Sequence, residues 1–126
     1  MNPYDAAHSL VKSIKYSSQY KEYLEAREKL AANSRAREMI KDMQKKQFAL
    51  QQKLMQGQQL TEEEEQQMQK LQEIVLMHDT AREYLAAEHQ MMILLADVQK
   101  IFSDGIDLGL TDGDGDEADE NNGDSK

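Results

Sequence analysis

One phrase recurs three times along the chain and constrains its fold more than any other feature. Each copy combines a residue that can cap a helix, a pair of charged residues and a pair of apolar residues, and the copies begin at Ser18, Ser34 and Asp79. A side-chain oxygen at the start of a helix can accept a hydrogen bond from a backbone N–H that the first turn leaves unpaired. The apolar pair then begins a helical face that can be buried. The phrase therefore predicts a series of helices and an all-α fold.

Apolar spacing predicts about five helices, and the first two lie near the N-terminus. The first is expected to begin after Asn2, with Pro3 at its first position, and to extend to about Tyr16. Ser17 and Ser18 are then expected to interrupt the chain and to begin the second helix. Each of these helices has one apolar stripe, which is typical of a helix that packs on a neighbour.

The third and fourth helices are predicted to form a long antiparallel hairpin. From Ser34 to Met55 the apolar residues follow a heptad pattern, so a single straight helix of roughly 33 Å is expected there. Gly57 then marks the tip of the hairpin. Thr61 and Glu64 have the spacing of a capping box, which predicts the start of the returning helix.

The fifth helix is predicted to be apolar around most of its circumference. It is expected to begin at Asp79 or Thr80, with a capping box formed by Thr80 and Glu83, and to end at Gly105 or Gly109. So wide an apolar surface is typical of a helix at the centre of a bundle or at a subunit interface.

The distribution of charge divides the chain into two parts. The net charge is −9, and residues 111–126 contribute −6 of it, with seven acidic residues and one lysine. These residues show no apolar periodicity, so residues 1–110 are predicted to be a helical domain and residues 111–126 a disordered acidic tail. The helical domain has no basic cluster, so tight binding to duplex nucleic acid is not expected.

No pattern in the sequence predicts a catalytic, metal or cofactor site. The chain has no cysteine and three scattered histidines, so thiolate chemistry, disulfides and zinc sites are not expected. The acidic run from Asp112 to Asp116 resembles the start of a calcium loop. However, Glu117 and Gly123 stand where such a loop needs a glycine and a bidentate glutamate. We therefore expect a protein without enzymatic activity, cofactor or bound metal.

The sequence also predicts a cytoplasmic location. Its longest apolar run, Met91 to Ala96, is far shorter than the roughly 20 residues of a membrane-spanning helix. The first residues lack the basic and apolar regions of a secretory signal. No association with a membrane is therefore expected.

So polar a chain is predicted to self-associate. Two antiparallel helices bury one seam against each other, and the apolar residues near the hairpin tip then need another cover. A second copy is the simplest cover, and two-fold pairing is the commonest closed arrangement. We therefore predict an interleaved homodimer. The predicted contact residues are Met43, Gln47, Leu50, Leu54, Met68, Leu71, Val75, Met91 and Leu95.

Four segments of residues 1–110 are informative together: Asn2-Pro-Tyr-Asp-Ala-Ala, Tyr20-Lys-Glu-Tyr23-Leu-Glu-Ala, Gln47-x-x-x-Gln51 with Gly57, and Glu83-Tyr84-Leu85-x-Ala87-Glu88. They resemble a family of small helical proteins from Gram-positive bacteria, the YheA branch of the YlbF/YmcA group. The resemblance implies an all-helical, self-associating cytosolic protein without catalytic residues. The acidic tail lies outside it.

The resemblance also implies an accessory role. Relatives in the YlbF and YmcA branches assemble with other proteins, influence RNA processing through RNase Y, and thereby affect competence, sporulation and biofilm formation. This chain has no cysteine, so a cofactor role that depends on thiolate ligands does not carry over. The leading hypothesis is a noncatalytic homodimeric adaptor that binds itself and another cytosolic protein.

The alternative hypothesis is an accessory factor that binds or processes RNA. Lys41, Lys45, Lys46 and Lys53 follow one arm of the predicted hairpin and could contact phosphates. Asp42 and many glutamines lie among these lysines, which weakens the positive field along the arm. Nucleic acid is therefore the less expected partner.

Overall fold

The computed structural model describes residues 1–107, which form five α-helices and contain no strand. The helices are α1 (Pro3–Lys15), α2 (Ser18–Ala31), α3 (Ser34–Met55), α4 (Glu62–Leu76) and α5 (Asp79–Gly105). The all-α prediction is confirmed, and α5 ends at one of its two predicted glycines. The predicted tail, residues 111–126, lies outside the described residues.

The N-terminus of α1 has the predicted cap. Asn2 has extended backbone dihedrals, and its side-chain Oδ1 accepts a hydrogen bond of 2.8 Å from the backbone N–H of Asp5. Pro3 occupies the first helical position, where its missing N–H leaves no hydrogen bond unmade. These two residues fix where the helix begins.

The other caps lie one residue earlier than the start of each recurring phrase. Ser17 Oγ accepts from the Tyr20 N–H at 3.2 Å, and Asn33 Oδ1 accepts from the Ala36 N–H at 2.9 Å. Both capping residues are extended, so Ser18 and Ser34 already belong to the first helical turn. The phrase therefore marks the first helical residue and not the cap itself.

The predicted capping box of Thr80 and Glu83 is wrong for the same reason. The helix α5 begins at Asp79, so Thr80 is inside the first turn and has helical backbone. The residue before the helix is His78, and its Nδ1 accepts from the Ala81 N–H at 3.5 Å. An imidazole nitrogen thus takes the place of the expected threonine oxygen.

An arginine in the second and third phrases links the helix that begins there to the end of the preceding helix. We call these two connections, α2 to α3 and α4 to α5, the junctions. Arg37 donates from Nη1 to the carbonyl of Ala31, the last residue of α2. Arg82 donates from Nη1 to the carbonyl of Leu76, the last residue of α4, at 3.2 Å. The last carbonyls of a helix lack intrahelical partners. The arginine therefore ties the end of one helix to the start of the next.

The hydrophobic core lies where these two junctions meet. Three of its residues, Ala36, Val75 and Ala81, are 0% exposed. Alanine is the third residue of the phrase in both junctions, where its small side chain lets the neighbouring helix approach. The buried core cluster consists of Ala26, Ala36, Ile40, Met43, Val75, Ala81 and Tyr84.

Helices α3 and α4 pack against each other and are joined through Gly57. Lys53 Nζ lies 2.7 Å from Glu64 Oε1, and Lys46 Nζ lies 3.2 Å from Gln67 Oε1. The later lysine of α3 thus contacts the earlier residue of α4, so the two helices are antiparallel. Gly57 has a φ of +84°, a backbone conformation that residues with a Cβ atom rarely adopt.

Two compact units divide the chain. The first, Met1–Met92, contains α1 to α4 and the first half of α5, together with the whole core cluster. The second begins at Ile93 and contains the rest of α5.

Candidate interaction surfaces

The predicted contact residues divide into buried and exposed groups. Within a single chain, Met43, Leu50, Val75 and Met91 are buried. Met68 and Leu71 are half-buried and pack on the core cluster. The exposed members are Gln47, Leu54 and Leu95.

This division has a simple physical cause. Heptad spacing marks a face that is buried, but the same spacing serves whether the cover comes from the same chain or from another chain. Six of the nine residues thus stabilise the single chain, and self-association through the set stays a prediction.

The distal half of α3 has exposed apolar side chains that the sequence analysis only partly identified. Leu54, a predicted contact residue, is 52% exposed, whereas Phe48 and Met55 are 63% and 74% exposed. We call Gln47, Phe48, Leu54 and Met55 the hairpin patch. Phe48 and Met55 are seven residues apart and therefore lie on one face of the helix. Met55 was among the residues near the hairpin tip that were expected to need another cover, and its spacing from Phe48 was the signal that could have identified Phe48.

Helix α1 contributes a second apolar surface. None of its residues is buried, and its apolar stripe, formed by Tyr4, Ala7, Val11 and Ile14, is exposed except for half-buried Ile14. Tyr4 is 78% exposed and Val11 is 51% exposed. The stripe has the pattern of a helix face that packs on a partner.

The second unit also presents apolar side chains. Leu95, Ile101 and Phe102 of α5 are all exposed. Lys100 Nζ lies 2.9 Å from Asp104 Oδ2, and this hydrogen bond raises the pKa of the Lys100 ammonium. This part of α5 is therefore an apolar helix with one charged pair along its side.

The lysines proposed for RNA contact do not form one free row. Lys46 and Lys53 are engaged by Gln67 and Glu64 across the hairpin. Lys41 and Lys45 are exposed on α3. Two of the four predicted phosphate contacts are thus already used inside the chain.

Glu64 is the most heavily used carboxylate at the hairpin turn. Its side chain accepts from Lys53 Nζ and, at 2.9 Å, from the Thr61 backbone N–H, while Thr61 Oγ1 accepts from the Glu64 N–H at 3.1 Å. The predicted capping box of α4 is confirmed. The Lys53 hydrogen bond, followed by that of Thr61, lowers the pKa of the Glu64 carboxyl.

A tyrosine pair joins α2 and α5 at the edge of the core. The ring centroids of Tyr23 and Tyr84 are 6.0 Å apart, and the Arg27 guanidinium lies 5.5 Å from the centroid of the Tyr23 ring. The Tyr84 hydroxyl donates to Glu88 Oε2 at 3.2 Å. Burial, with Tyr23 and Glu88 nearby, raises the pKa of Tyr84. The hydroxyl therefore serves as a neutral hydrogen-bond donor.

An open cleft of ≈ 260 Å³ lies beside this pair. Its rim includes Glu22, Glu25 and Glu83, and Lys29 Nζ lies 3.9 Å from Glu83 Oε1. Ala26, Ala86 and Ala87 also line it. Among residues 1–107, no group of three or more histidine, aspartate or glutamate side chains is arranged to hold a metal ion. Of the helices in this range, none is long and apolar enough to cross a membrane.

Comparison with known proteins identifies a family. The sequence profile described as "Control of competence regulator ComK, YlbF/YmcA" matches residues 4–107. A UPF0342 protein from Halothermothrix orenii is 37% identical over 109 residues, which cover 86% of this chain and 92% of that protein. A UPF0342 protein from Symbiobacterium thermophilum is 38% identical over 107 residues, which cover 85% and 96%.

A solved structure has a similar fold. The protein of unknown function (DUF964) from Bacillus stearothermophilus is similar with a TM-score of 0.72 and 25% identity, over 81% of this chain and 90% of that one. The profile match begins within α1 and ends just after α5, so it includes the junctions, the hairpin and the caps of α2 to α5, but not the Asn2 cap of α1. The chain belongs to the YlbF/YmcA family.

Proposed function

We propose that the protein is a noncatalytic, homodimeric adaptor that regulates another cytoplasmic protein by binding it. The observation that supports this most is the position of its large apolar side chains. The core occupies the two helix junctions, whereas Tyr4, Phe48 and Met55 are more than half exposed. Extensive exposed apolar surface on a folded protein is typical of a surface that binds a partner.

The regulatory part of the proposal rests on the family. Its profile is described by the control of a competence regulator, and binding to another protein is the form of control that the proposal assigns to this chain. The flexible thioether of Met55 suits a surface that adapts to its partner.

A second copy is the proposed cover for the hairpin patch. Leu54 and Gln47 come from the predicted contact set, and Phe48 and Met55 extend it along α3. Two-fold symmetry lets the same patch serve both copies. Each copy would bury its Phe48 and its Met55, and these four side chains together would form the apolar centre that interfaces need.

The charges of α3 favour a protein partner over RNA. An RNA-binding arm needs several free cations to displace counterions from phosphates. Lys46 and Lys53 already bind Gln67 and Glu64, which leaves Lys41 and Lys45. RNA binding is therefore the alternative function, and the second test below distinguishes it from the adaptor.

The first test is the mass of the protein in solution. Sedimentation equilibrium of the full chain should give about twice the chain mass of 14.5 kDa. The variant Leu54→Glu with Met55→Glu should shift the equilibrium to monomer because it places charges in the patch. Lys45→Gln with Ala49→Glu changes the net charge of the same helix by the same amount, on exposed positions turned away from the patch, and should remain a dimer. A wild-type monomer at all concentrations would contradict the homodimer.

The second test identifies the partner class. A tagged protein at its natural level is recovered from cells with and without nuclease, and the bound proteins are identified by mass spectrometry. A stoichiometric partner that survives nuclease and is lost with the patch variant supports the adaptor. Partners that disappear with nuclease, and an RNA affinity lost on Lys41→Glu with Lys45→Glu, would support RNA binding instead.

A further inference from the structure

Helix α3 is the basic part of an acidic chain. It contains six cations and two carboxylates, a net charge of +4, whereas the whole chain carries −9. Three of the six cations are already engaged by acidic or amide side chains within residues 1–107. The other three are Arg37, Lys41 and Lys45, and none of them forms an ion pair in that range. Their charge is therefore available to another molecule.

Arg37, Lys41 and Lys45 form one row along α3, which we call the cationic row. They follow one another at intervals of four residues, and all three are exposed. Successive cations are therefore about 6 Å apart along the helix axis. The two carboxylates of α3 lie on the neighbouring row, where Glu38 contacts Arg35. Like charges four residues apart destabilise a helix, so carboxylates from outside α3 would remove a repulsion that the helix itself does not relieve.

The acidic tail carries the opposite charge at a matching interval. Residues 111–126 contain seven acidic residues and one lysine. The run that resembles the start of a calcium loop has aspartate at every second position, and we call Asp112, Asp114 and Asp116 the acidic repeat. In an extended chain, alternate side chains lie on one side and are about 6.6 Å apart. The acidic repeat thus matches the cationic row both in charge and in interval.

The acidic repeat is too close to the end of α5 to reach the row of its own chain. Helix α5 has 27 residues and is therefore about 40 Å long. Its first turn contains Ala81, which packs in the same core cluster as Ala36, the residue before Arg37. Asp112 follows Gly105 by seven residues, which extend to at most about 25 Å. The repeat cannot lead back along the whole of α5 to the core, where the cationic row begins.

We propose that the acidic repeat of a second copy of this chain binds the cationic row of α3. The proposal rests on the proposed homodimer and adds a contact outside the hairpin patch. Each aspartate pairs with one cation of the row, and the glycines between the aspartates let the extended segment lie close to the helix. In a two-fold pair the same contact forms twice. The bound tail covers the row, so it has to leave before another anionic molecule can bind there.

The test is a mixed sample measured by nuclear magnetic resonance. One half of the sample is isotope-labelled wild type, and the other half is unlabelled Ala118→Cys with a nitroxide spin label on its single cysteine. The nitroxide weakens the signals of nearby amides, so the amide signals of the cationic row should lose most of their intensity. Those of Gln66 and Gln69, which are exposed on α4, should keep theirs. At about 1 M salt the Debye length falls to about 3 Å, and the lost signals should recover.

Charge exchange tests which side chains pair. Reversing the acidic repeat on the spin-labelled chain should abolish the loss of intensity, and this variant is Asp112→Lys with Asp114→Lys and Asp116→Lys. The matched control changes the net charge of the tail equally but leaves the repeat intact, so it should keep the loss; it is Asp119→Lys with Glu120→Lys and Asp124→Lys. Lys41→Glu with Lys45→Glu on the isotope-labelled chain should abolish the loss with wild-type tails and regain it with the reversed repeat.

The same spectra control for the fold. Lys41 and Lys45 are exposed, so the signals of the core residues Ala36, Val75 and Ala81 should keep their positions when both lysines are changed to glutamate. If those signals move, Lys41→Gln with Lys45→Gln takes the place of that variant, because it removes the two charges without reversing them. It should then reduce the loss of intensity along the row.

The outcomes separate this proposal from the homodimer itself. A wild-type chain that is monomeric in sedimentation overturns both. A wild-type dimer whose cationic row keeps full intensity in the mixed sample overturns the tail contact and leaves the homodimer standing. Equal losses on α3 and α4, or equal effects of the two tail variants, would show a response to net charge alone and would also overturn it. So would a loss that appears only when the spin label and the isotope label are on the same chain.

Discussion

The junctions between helices and the distal arm of α3 have similar sequence patterns but very different surroundings. At the junctions, Ala36 and Val75 are completely buried, whereas Phe48 and Met55 on the arm are mostly exposed. Both regions have helix caps and apolar residues at heptad spacing. The difference is the number of helices that meet, because the junctions bring α2, α3, α4 and α5 together. Burial in this chain is therefore decided by how many helices converge on a residue.

The largest effect that would sharpen this comparison is a truncation in the core. Ile40 is buried in the cluster where the junctions meet, so Ile40→Ala should lower the free energy of unfolding by about 2–5 kcal/mol. Leu54→Ala removes as many carbon atoms from the exposed arm and should cost less than about 1 kcal/mol. Urea unfolding at low protein concentration measures both.

The dependence of these unfolding free energies on protein concentration tests the arm separately. If the hairpin patch is covered by a second copy, the cost of Leu54→Ala should grow as the protein concentration rises, because dimer formation stabilises the folded chain. The cost of Ile40→Ala should change much less. Equal costs for the two variants at low concentration would contradict the division into core and arm.

The second prediction concerns the arginine that ties α4 to α5. Arg82 donates to the Leu76 carbonyl and lies 3.0 Å from Asp79. Arg82→Ala removes both contacts and should lower the free energy of unfolding by about 1 kcal/mol. Arg35→Ala is the matched control, since Arg35 only reaches Glu38 across 4.0 Å on the surface and should cost almost nothing. Equal costs would show that the junction does not depend on its arginine.

The sequence was sufficient for much of this fold, and the reasons are local. Asn2, Pro3, Gly57 and the Thr61–Glu64 box each determine a helix boundary through their own backbone or side-chain chemistry. The start of α5 was misassigned because His78 caps it with a nitrogen, which the usual preference for oxygen does not predict.

The contact surfaces were less predictable, because they depend on which helices converge. Leu50 and Leu54 have the same residue type and heptad face, yet one is buried and the other is half exposed. The roles of Arg37 and Arg82 also needed the structure, since each reaches back across a turn to a carbonyl six residues away. Side chains that link two elements leave little trace in the periodicity of either one.

The third prediction tests the polar edge of the core. Tyr84→Phe keeps the buried ring beside Tyr23 but removes the hydrogen bond to Glu88. The loss should be about 0.5–1.5 kcal/mol at neutral pH. Because the pKa of Tyr84 is raised on folding, its contribution is fully present below the ordinary value of 10.0 and decreases as the pH rises above that value. Stability curves of the two proteins should therefore approach each other in alkali.

The smallest expected effect lies at the hairpin turn, where Lys53 and the Thr61 backbone lower the pKa of Glu64. A carboxyl whose pKa is lowered by folding stabilises the protein above the ordinary pKa of 4.5, and this contribution is lost as the pH falls through the lower, folded value. Glu64→Gln should therefore melt at a lower temperature than the wild type at pH 7, and the two melting curves should converge in acid. Glu63→Gln, on the same turn but without these partners, should parallel the wild type throughout. A difference between wild type and Glu64→Gln that stays constant from pH 7 to acid would mean that the turn depends on the shape of this side chain and not on its charge.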